Sequence, residues 1–233
     1  IHRENIESTY TNDPIREENI DYEAWTEFIS YYRYYIDAFA VDVLGIKLFP
    51  FQRLILRAMG RYQNSLLIAC RGLGKSFIVA VFYICVAILY PNIKLGISSG
   101  NSQQSRNVII QKIKGELAKI DAVAREINFP IKTGMDDCVV EFKNGSEIRA
   151  ITLAQDRGGD SARSWRFSYM LVDEARLVKD NIIEEILIPM TKTKRQNAIK
   201  WHKSEKGKMI FISSAYLKTS KLYDRFLYHY KQM

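Results

Sequence analysis

The sequence predicts an α/β fold: a mostly parallel central sheet flanked by helices, preceded by an N-terminal helical segment. Three observations lead there. From Ser65 onward, short apolar runs alternate with longer helical stretches, the pattern of a doubly wound sheet. A glycine-rich turn, Arg71 to Lys75, joins the first of those runs to the first long apolar stretch. A later run, Tyr169 to Val172, ends abruptly on two carboxylates, Asp173 and Glu174.

Taken in order, residues 1–20 are polar and acidic and read as an arm with little core of its own. Asp21 to Leu44 places Trp25, Phe28, Ile29, Tyr32, Tyr35, Ile36 and Phe39 at helical spacing, predicting one or two amphipathic helices closed near Gly45. Phe51 to Met59 follows Pro50 as a short helix. Ser65 to Cys70 reads as a buried strand. Ser76 to Tyr90 is a helix apolar nearly all round, hence buried. Lys94 to Ser98 is the next strand and Gln103 to Ile120 an amphipathic helix. Cys138 to Phe142 and Ser146 to Ile151 flank Lys143-Asn144-Gly145, a hairpin with an Asn-Gly turn. Phe167 to Val172 is a strand, Asn181 to Ile188 a helix ending at Pro189, and Lys208 to Ser213 a last strand. The expected divisions are a segment 1–44, a core 45–225 and the start of a linker at 226–233.

Composition narrows the function classes. With 47% hydrophobic residues in 233, the chain can bury a core, and disorder throughout is excluded. Three scattered cysteines make neither a disulfide framework nor a zinc site, which fits a reducing compartment. The longest apolar run, Phe77 to Tyr90, is short of the about 20 residues a bilayer demands, so no membrane partner is expected. The net charge of +8 is unevenly placed: residues 1–175 carry 21 basic and 21 acidic side chains, whereas residues 176–233 carry 13 and 5. The densest part, Thr191 to Lys208, reads either as a solvated loop or as a phosphate-facing surface. Trp201 and His202 within it either stack on bases or anchor the loop.

Ala69-Cys70-Arg71-Gly72-Leu73-Gly74-Lys75-Ser76 matches the phosphate-binding pattern G-x-x-x-x-G-K-[ST], with Ala69 in place of the first glycine. Gly72 and Gly74 let backbone amides turn toward phosphate oxygens, and the following helix adds its N-terminal partial charge. Lys75 reaches the β- and γ-phosphates and the Ser76 hydroxyl ligates Mg²⁺. Ala69 restricts the loop start to angles open to a residue with a Cβ. The run into Asp173-Glu174 is the acidic partner, or Walker B, pattern. Asp173 holds Mg²⁺ directly or through water, and Glu174 polarises the attacking water as general base. A kinase has no use for Glu174, because its acceptor hydroxyl replaces water, so the pair argues for hydrolysis.

With these motifs in this order, the sequence resembles the ATPase domain of the large terminase subunit of tailed bacteriophages or prophages, a P-loop NTPase (ASCE/RecA-like) that packages DNA. Leu48-Phe49-Pro50-Phe51-Gln52 is similar to that family's adenine-recognition segment, with Gln52 reading the base. Arg71 is similar to the arginine those motors carry in the loop. Ser213-Ser214-Ala215 looks like the coupling motif, and Lys94 to Gln104 resembles a helicase-like segment after the second strand. The resemblance implies an arginine finger before the acidic strand: Arg157, Arg163 or Arg166. Arg163 best matches the position, although Ser164 stands where glycine is common, so Arg163 and Arg166 remain alternatives. It implies ATP and Mg²⁺ as cofactors, and double-stranded DNA and the small terminase subunit as partners. It further implies a homo-oligomeric ring on the procapsid portal and action in the cytoplasm of an infected bacterial host. The family's C-terminal nuclease rests on an acidic cluster that this sequence does not show, so DNA cleavage by this chain is not expected. Asp173-Glu174-Ala175-Arg176 also resembles the box of superfamily 2 helicase-like translocases, here without a second RecA-like domain. A nucleotide-binding scaffold without turnover is the third reading, and the intact Lys75, Asp173 and Glu174 speak against it.

Overall fold

The computed structural model describes residues 21–135, 137–151, 165–192, 207–215 and 221–232. Among the described residues, seven strands form one sheet: β1 Asn64–Ile68, β2 Lys94–Ser99, β3 Ile127–Thr133, β4 Cys138–Phe142, β5 Glu147–Ala150, β6 Tyr169–Asp173 and β7 Lys208–Ser213. Their order is β1-β7-β6-β2-β5-β4-β3. The five strands from β1 to β5 pair in parallel, and β4 and β3 extend the sheet antiparallel. The strand leading into the phosphate loop and the strand ending in Asp173 are thus separated by β7 alone.

Alternation along the central strands explains the layers. In β6, Tyr169 and Leu171 join one buried cluster while Met170 and Val172 join the other. In β7, Ile210 and Ile212 face the first cluster, and Met209 and Phe211 the second. Side chains of successive strand residues point to opposite faces, so both faces are covered, as a parallel sheet requires. The first face carries helix α1 (Tyr22–Tyr34), α2 (Ile36–Ala38, continuing as a π turn, Phe39–Val43), α3 (Pro50–Arg61) and α4 (Lys75–Leu89). It also carries α5 (Ser102–Asn107), which runs into a π-helical stretch, Val108–Lys114, and the short α6 (Asp121–Ala124). The second face carries α7 (Asp180–Ile182), a π turn (Ile183–Leu187) and α8 (Ile188–Met190), with α9 (Lys221–Gln232) alongside. Helix α4 is buried on all sides, from Ile78 to Ala87, and the Tyr83 hydroxyl donates to the Gly96 carbonyl at 2.9 Å, tying α4 to β2.

Several expectations need correction. Helix α1 exists but buries none of its residues. Trp25 is 58% exposed and stacks on Phe28, centroids 5.5 Å apart. Several of its aromatic residues pair with one another along the helix, as neighbours three or four apart can, while Ile29 and Tyr32, half-buried, pack against the core. Residues 36–44, expected to stand outside the ATPase core, bury Ile36, Phe39, Ala40 and Leu44 in the same cluster as α4. The predicted long helix after β2 is α5 plus its π-helical continuation and a 3₁₀ turn at Leu117–Lys119. Strand β3 is absent from the sequence reading: Pro130 interrupts its pattern, and its pairing with β4 shifts register between Asn128 and Lys132, which suits a proline on an edge strand. Pro189 does not end the second-face helix, because the missing donor falls where the π turn passes into α8. The division placed after residue 225 falls inside α9, whose Arg225 donates to Asp180 and Glu184.

Candidate active site

The phosphate loop begins where β1 ends. The Ala69 N–H donates to the Ser213 carbonyl at 3.2 Å, so the loop start is fastened to the end of β7. Ala69 has no positive φ, in keeping with its Cβ, whereas Gly72 (φ 85°) and Gly74 (φ 79°) both adopt the left-handed conformation. Gly74 is the N-cap of α4 and Lys75 its first residue. Lys75 is buried; its ammonium donates to the Ala69 carbonyl at 3.0 Å and the Cys70 carbonyl at 2.7 Å. The loop therefore holds its own lysine, ready to exchange two neutral acceptors for an anionic one.

The acidic pair closes the facing side. β6 runs out at Asp173, and Glu174 turns into the left-handed region at φ 46°, a conformation that costs a non-glycine residue energy and persists at sites the surroundings enforce. The Glu174 N–H donates to Asp173 Oδ1 at 2.8 Å. Burial pushes the Asp173 carboxyl up to about 6, helped by the neighbouring Glu174 charge and opposed by that amide and by Lys75. Glu174 goes the other way. Burial pulls its carboxyl upward, but Arg176 and Ser214 outweigh it and leave the group below its ordinary value. Arg176 Nε donates to Glu174 Oε2 at 3.1 Å, and Ser214 Oγ donates to Oε1 at 3.3 Å.

These groups share one cavity of about 440 Å³ at the carboxyl ends of β1, β6 and β7. Arg71, Gly72, Gly74, Lys75 and Ser76 line one side, and Asp173, Glu174 and Ser214 another. A third wall comes from α5 and its π-helical continuation: Gln104, Asn107, Gln111 and Lys112. A larger cavity, about 780 Å³, lies at the opposite strand ends beneath α9, lined by Asn64, Met209, Asp224 and His229 among others. Ligands of open α/β sheets bind beyond the carboxyl ends of the strands, so the smaller cavity is the candidate site.

Not every expected residue reaches it. Gln52 is buried beside the loop: Oε1 accepts the Phe49 N–H at 2.9 Å, and a Cβ added at Gly74 would lie 3.5 Å from its Nε2. Gln52 does not line the cavity, and neither does Leu73. Ser213 is buried and its hydroxyl donates to the Ser214 carbonyl, so Ser214 alone of the pair faces the site. Arg157 and Arg163 lie outside the described residues. Arg166 precedes β6, at the strand end away from Asp173, and Nη1 donates to the Trp165 carbonyl. Of the basic stretch 191–208, residues 193–206 lie outside the described residues. Its last member, Lys208, is no phosphate-facing cation: its ammonium donates to the Met59, Gly60 and Tyr62 carbonyls at the end of α3, and burial lowers it to about 8. Sequence reasoning missed the carboxylate contacts of Arg176 and Ser214 and the whole α5 wall.

Sheet order, left-handed glycine loop and facing acidic pair together define a P-loop NTPase fold. No family model and no curated relative matches the chain. Among solved structures it is similar to the Thermus phage P74-26 large terminase ATPase domain, with 18% identity and a TM-score of 0.57 over 80% of this chain and 72% of that one. It is also similar to the HK97 bacteriophage large terminase (15% identity, TM-score 0.60, 80% of this chain, 37% of that one). The large terminase of a thermophilic bacteriophage is a third (11% identity, TM-score 0.53, 72% of this chain, 39% of that one). The fold is that of phage large terminase ATPase domains. Among the described residues, no helix is long and apolar enough to cross a membrane.

Proposed function

We propose that this chain is the ATP-hydrolysing motor domain of a viral large terminase, driving double-stranded DNA into a procapsid. The observation that carries the reading is the single cavity in which Lys75, Ser76, Asp173, Glu174 and Ser214 meet. The residues fit a magnesium–nucleotide pair. Ser76 and Asp173 line the same cavity, and Asp173 is a half-buried acid whose carboxyl is raised first by its loss of water and then by the neighbouring Glu174 charge, with Lys75 offsetting part of it. Ser76 and Asp173 would hold Mg²⁺, which would neutralise negative charge on the phosphoryl oxygens.

The chain's own groups do the rest. The glycine loop and the α4 N-terminus present N–H donors to the phosphates. Lys75 leaves its two carbonyls for the phosphate oxygens. Glu174, kept ionised by Arg176 and Ser214, orients a water and receives its proton. Ser214 links that carboxylate to the end of β7, so a change at Glu174 is felt by the strand that also fastens the loop at Ala69. Arg163 completes the site from a neighbouring subunit of a homo-oligomeric ring docked on the portal, with the small terminase subunit as a further partner and the host cytoplasm as the place of action. The test is ATP hydrolysis at high protein concentration with Mg²⁺, with and without double-stranded DNA. Hydrolysis that requires Mg²⁺ and rises with DNA is expected; none under any of these conditions overturns the reading.

A further inference from the structure

The third wall of the cavity has no role in the scheme above, yet its geometry is tightly set. Ser99, the last residue of β2, lies directly across from Asp173 in the parallel β2–β6 register. It is 1% exposed, so its hydroxyl needs a partner inside the protein. That partner is Gln104: Ser99 Oγ donates to Gln104 Oε1 at 3.0 Å. The turn between them is pinned twice more. Asn101 caps α5, its side-chain oxygen accepting the Gln103 N–H at 2.9 Å. Gly100 is pressed against the turn that follows Glu174, where an added Cβ would come within 2.7 Å of Leu177 Cβ.

The result is a fixed amide on the wall of the cavity that Asp173 and Glu174 also line. A glutamine amide has one acceptor oxygen and a nitrogen with two donors. The oxygen is engaged by Ser99, and among the described residues the nitrogen has no protein partner. Directly after α5 the helix opens into the π-helical stretch Val108–Lys114. Such turns recur at functional sites, and this one keeps Gln111 on the same wall.

A neutral donor in that place suits an anion. Asp173 and Glu174 mark where the reacting phosphoryl group and its water sit, and Ser99 is register-matched to Asp173 rather than to the base of the loop. We propose that Gln104, positioned by Ser99, donates a hydrogen bond to the terminal phosphoryl group of the bound nucleoside triphosphate, so that the cavity distinguishes triphosphate from diphosphate. The inference rests on the ATP-hydrolysing reading of this site and adds a ligand contact to it.

The experiment is calorimetric titration of the chain, in Mg²⁺, with ADP and with a non-hydrolysable ATP analogue. Gln104→Ala is expected to weaken analogue binding about tenfold, the size of a lost hydrogen bond to a charged group, while ADP binding stays within about twofold. Gln104→Glu, which sets a carboxylate against the phosphoryl group, is expected to weaken it further. Ser99→Ala, a positioning change, should move the triphosphate-to-diphosphate ratio in the same direction by less. Retained ADP binding shows that each variant still has a folded site. Wild-type protein that binds and hydrolyses ATP, with a ratio unmoved by Gln104→Ala or with both affinities falling together, overturns the Gln104 assignment alone. Wild-type protein that binds neither nucleotide overturns the ATP reading, and this inference with it.

Discussion

Asp173→Asn should make the nucleotide-free protein more stable while removing its activity. A carboxyl that ionises near 6 in the folded chain and near 3.8 when exposed costs about 3 kcal/mol in its charged form, at 1.36 kcal/mol per pH unit. The cost arises first from burial and then from the adjacent Glu174 charge, and Lys75 offsets only part of it. Asparagine keeps the shape and keeps an oxygen for the Glu174 N–H. The direction with pH follows from proton linkage. Below about pH 4 the carboxyl is neutral in both states and the variant gains nothing. Between about pH 4 and 6 the unfolded chain is ionised and the folded one is not, so the wild type loses ground as pH rises. Above about pH 6 the gap is full and constant. Thermal unfolding without nucleotide or divalent ions should therefore show a gain of roughly 6–12 °C at pH 7.5 for a chain of this size, shrinking to about a third of that at pH 4.5. A variant less stable than wild type at pH 7.5, or a gap indifferent to pH, refutes the claim that Asp173 is a desolvated acid waiting for a cation.

Three further outcomes are expected. Asp37 is fully buried and accepts hydrogen bonds from Arg53 Nε at 3.1 Å and from Arg57 at 2.9 and 2.8 Å. Because both arginines are partly exposed and can rehydrate, Asp37→Ala should cost about 3 kcal/mol, near the lower end for a broken buried pair, read as a loss of stability in urea. Gly74→Ala forces a side chain into the left-handed region at φ 79°, costing about 1–2 kcal/mol. It should weaken nucleotide binding more than it lowers the melting temperature, as titration and thermal unfolding together will tell. Arg163→Ala subunits should regain hydrolysis when mixed with subunits that keep Arg163 but carry Lys75→Ala; no recovery argues against a finger acting in trans.

What was legible in the sequence follows from how local each signal is. Strands β1, β2 and β4 to β7 announce themselves as apolar runs between turn residues, and β3 does not because Asn128, Pro130 and Lys132 break the run. Helical spacing shows that α1 is a helix but not that it lies on the surface, since aromatic residues satisfied by one another look like core residues. Lys75 and Asp173 are readable because each motif is contiguous. The hydrogen bond from Ser214 to Glu174 joins residues 40 apart and exists because β6 and β7 are neighbours in the sheet. The Ser99–Gln104 contact likewise depends on where a turn places a helix. Lys208 shows the reverse error: counted as part of a basic surface, it folds back to satisfy the carbonyls that end α3.

Hydrolysis at this site rests on Glu174. Its carboxylate lines the cavity it shares with Lys75, is held by Arg176 and Ser214, and lies outside the glycine loop. Parallel measurement of ATP binding and steady-state phosphate release for Glu174→Ala is the decisive comparison. Binding within a few-fold of wild type and turnover lowered by about 10²-fold or more are expected if Glu174 is the general base. Normal turnover in that variant contradicts it.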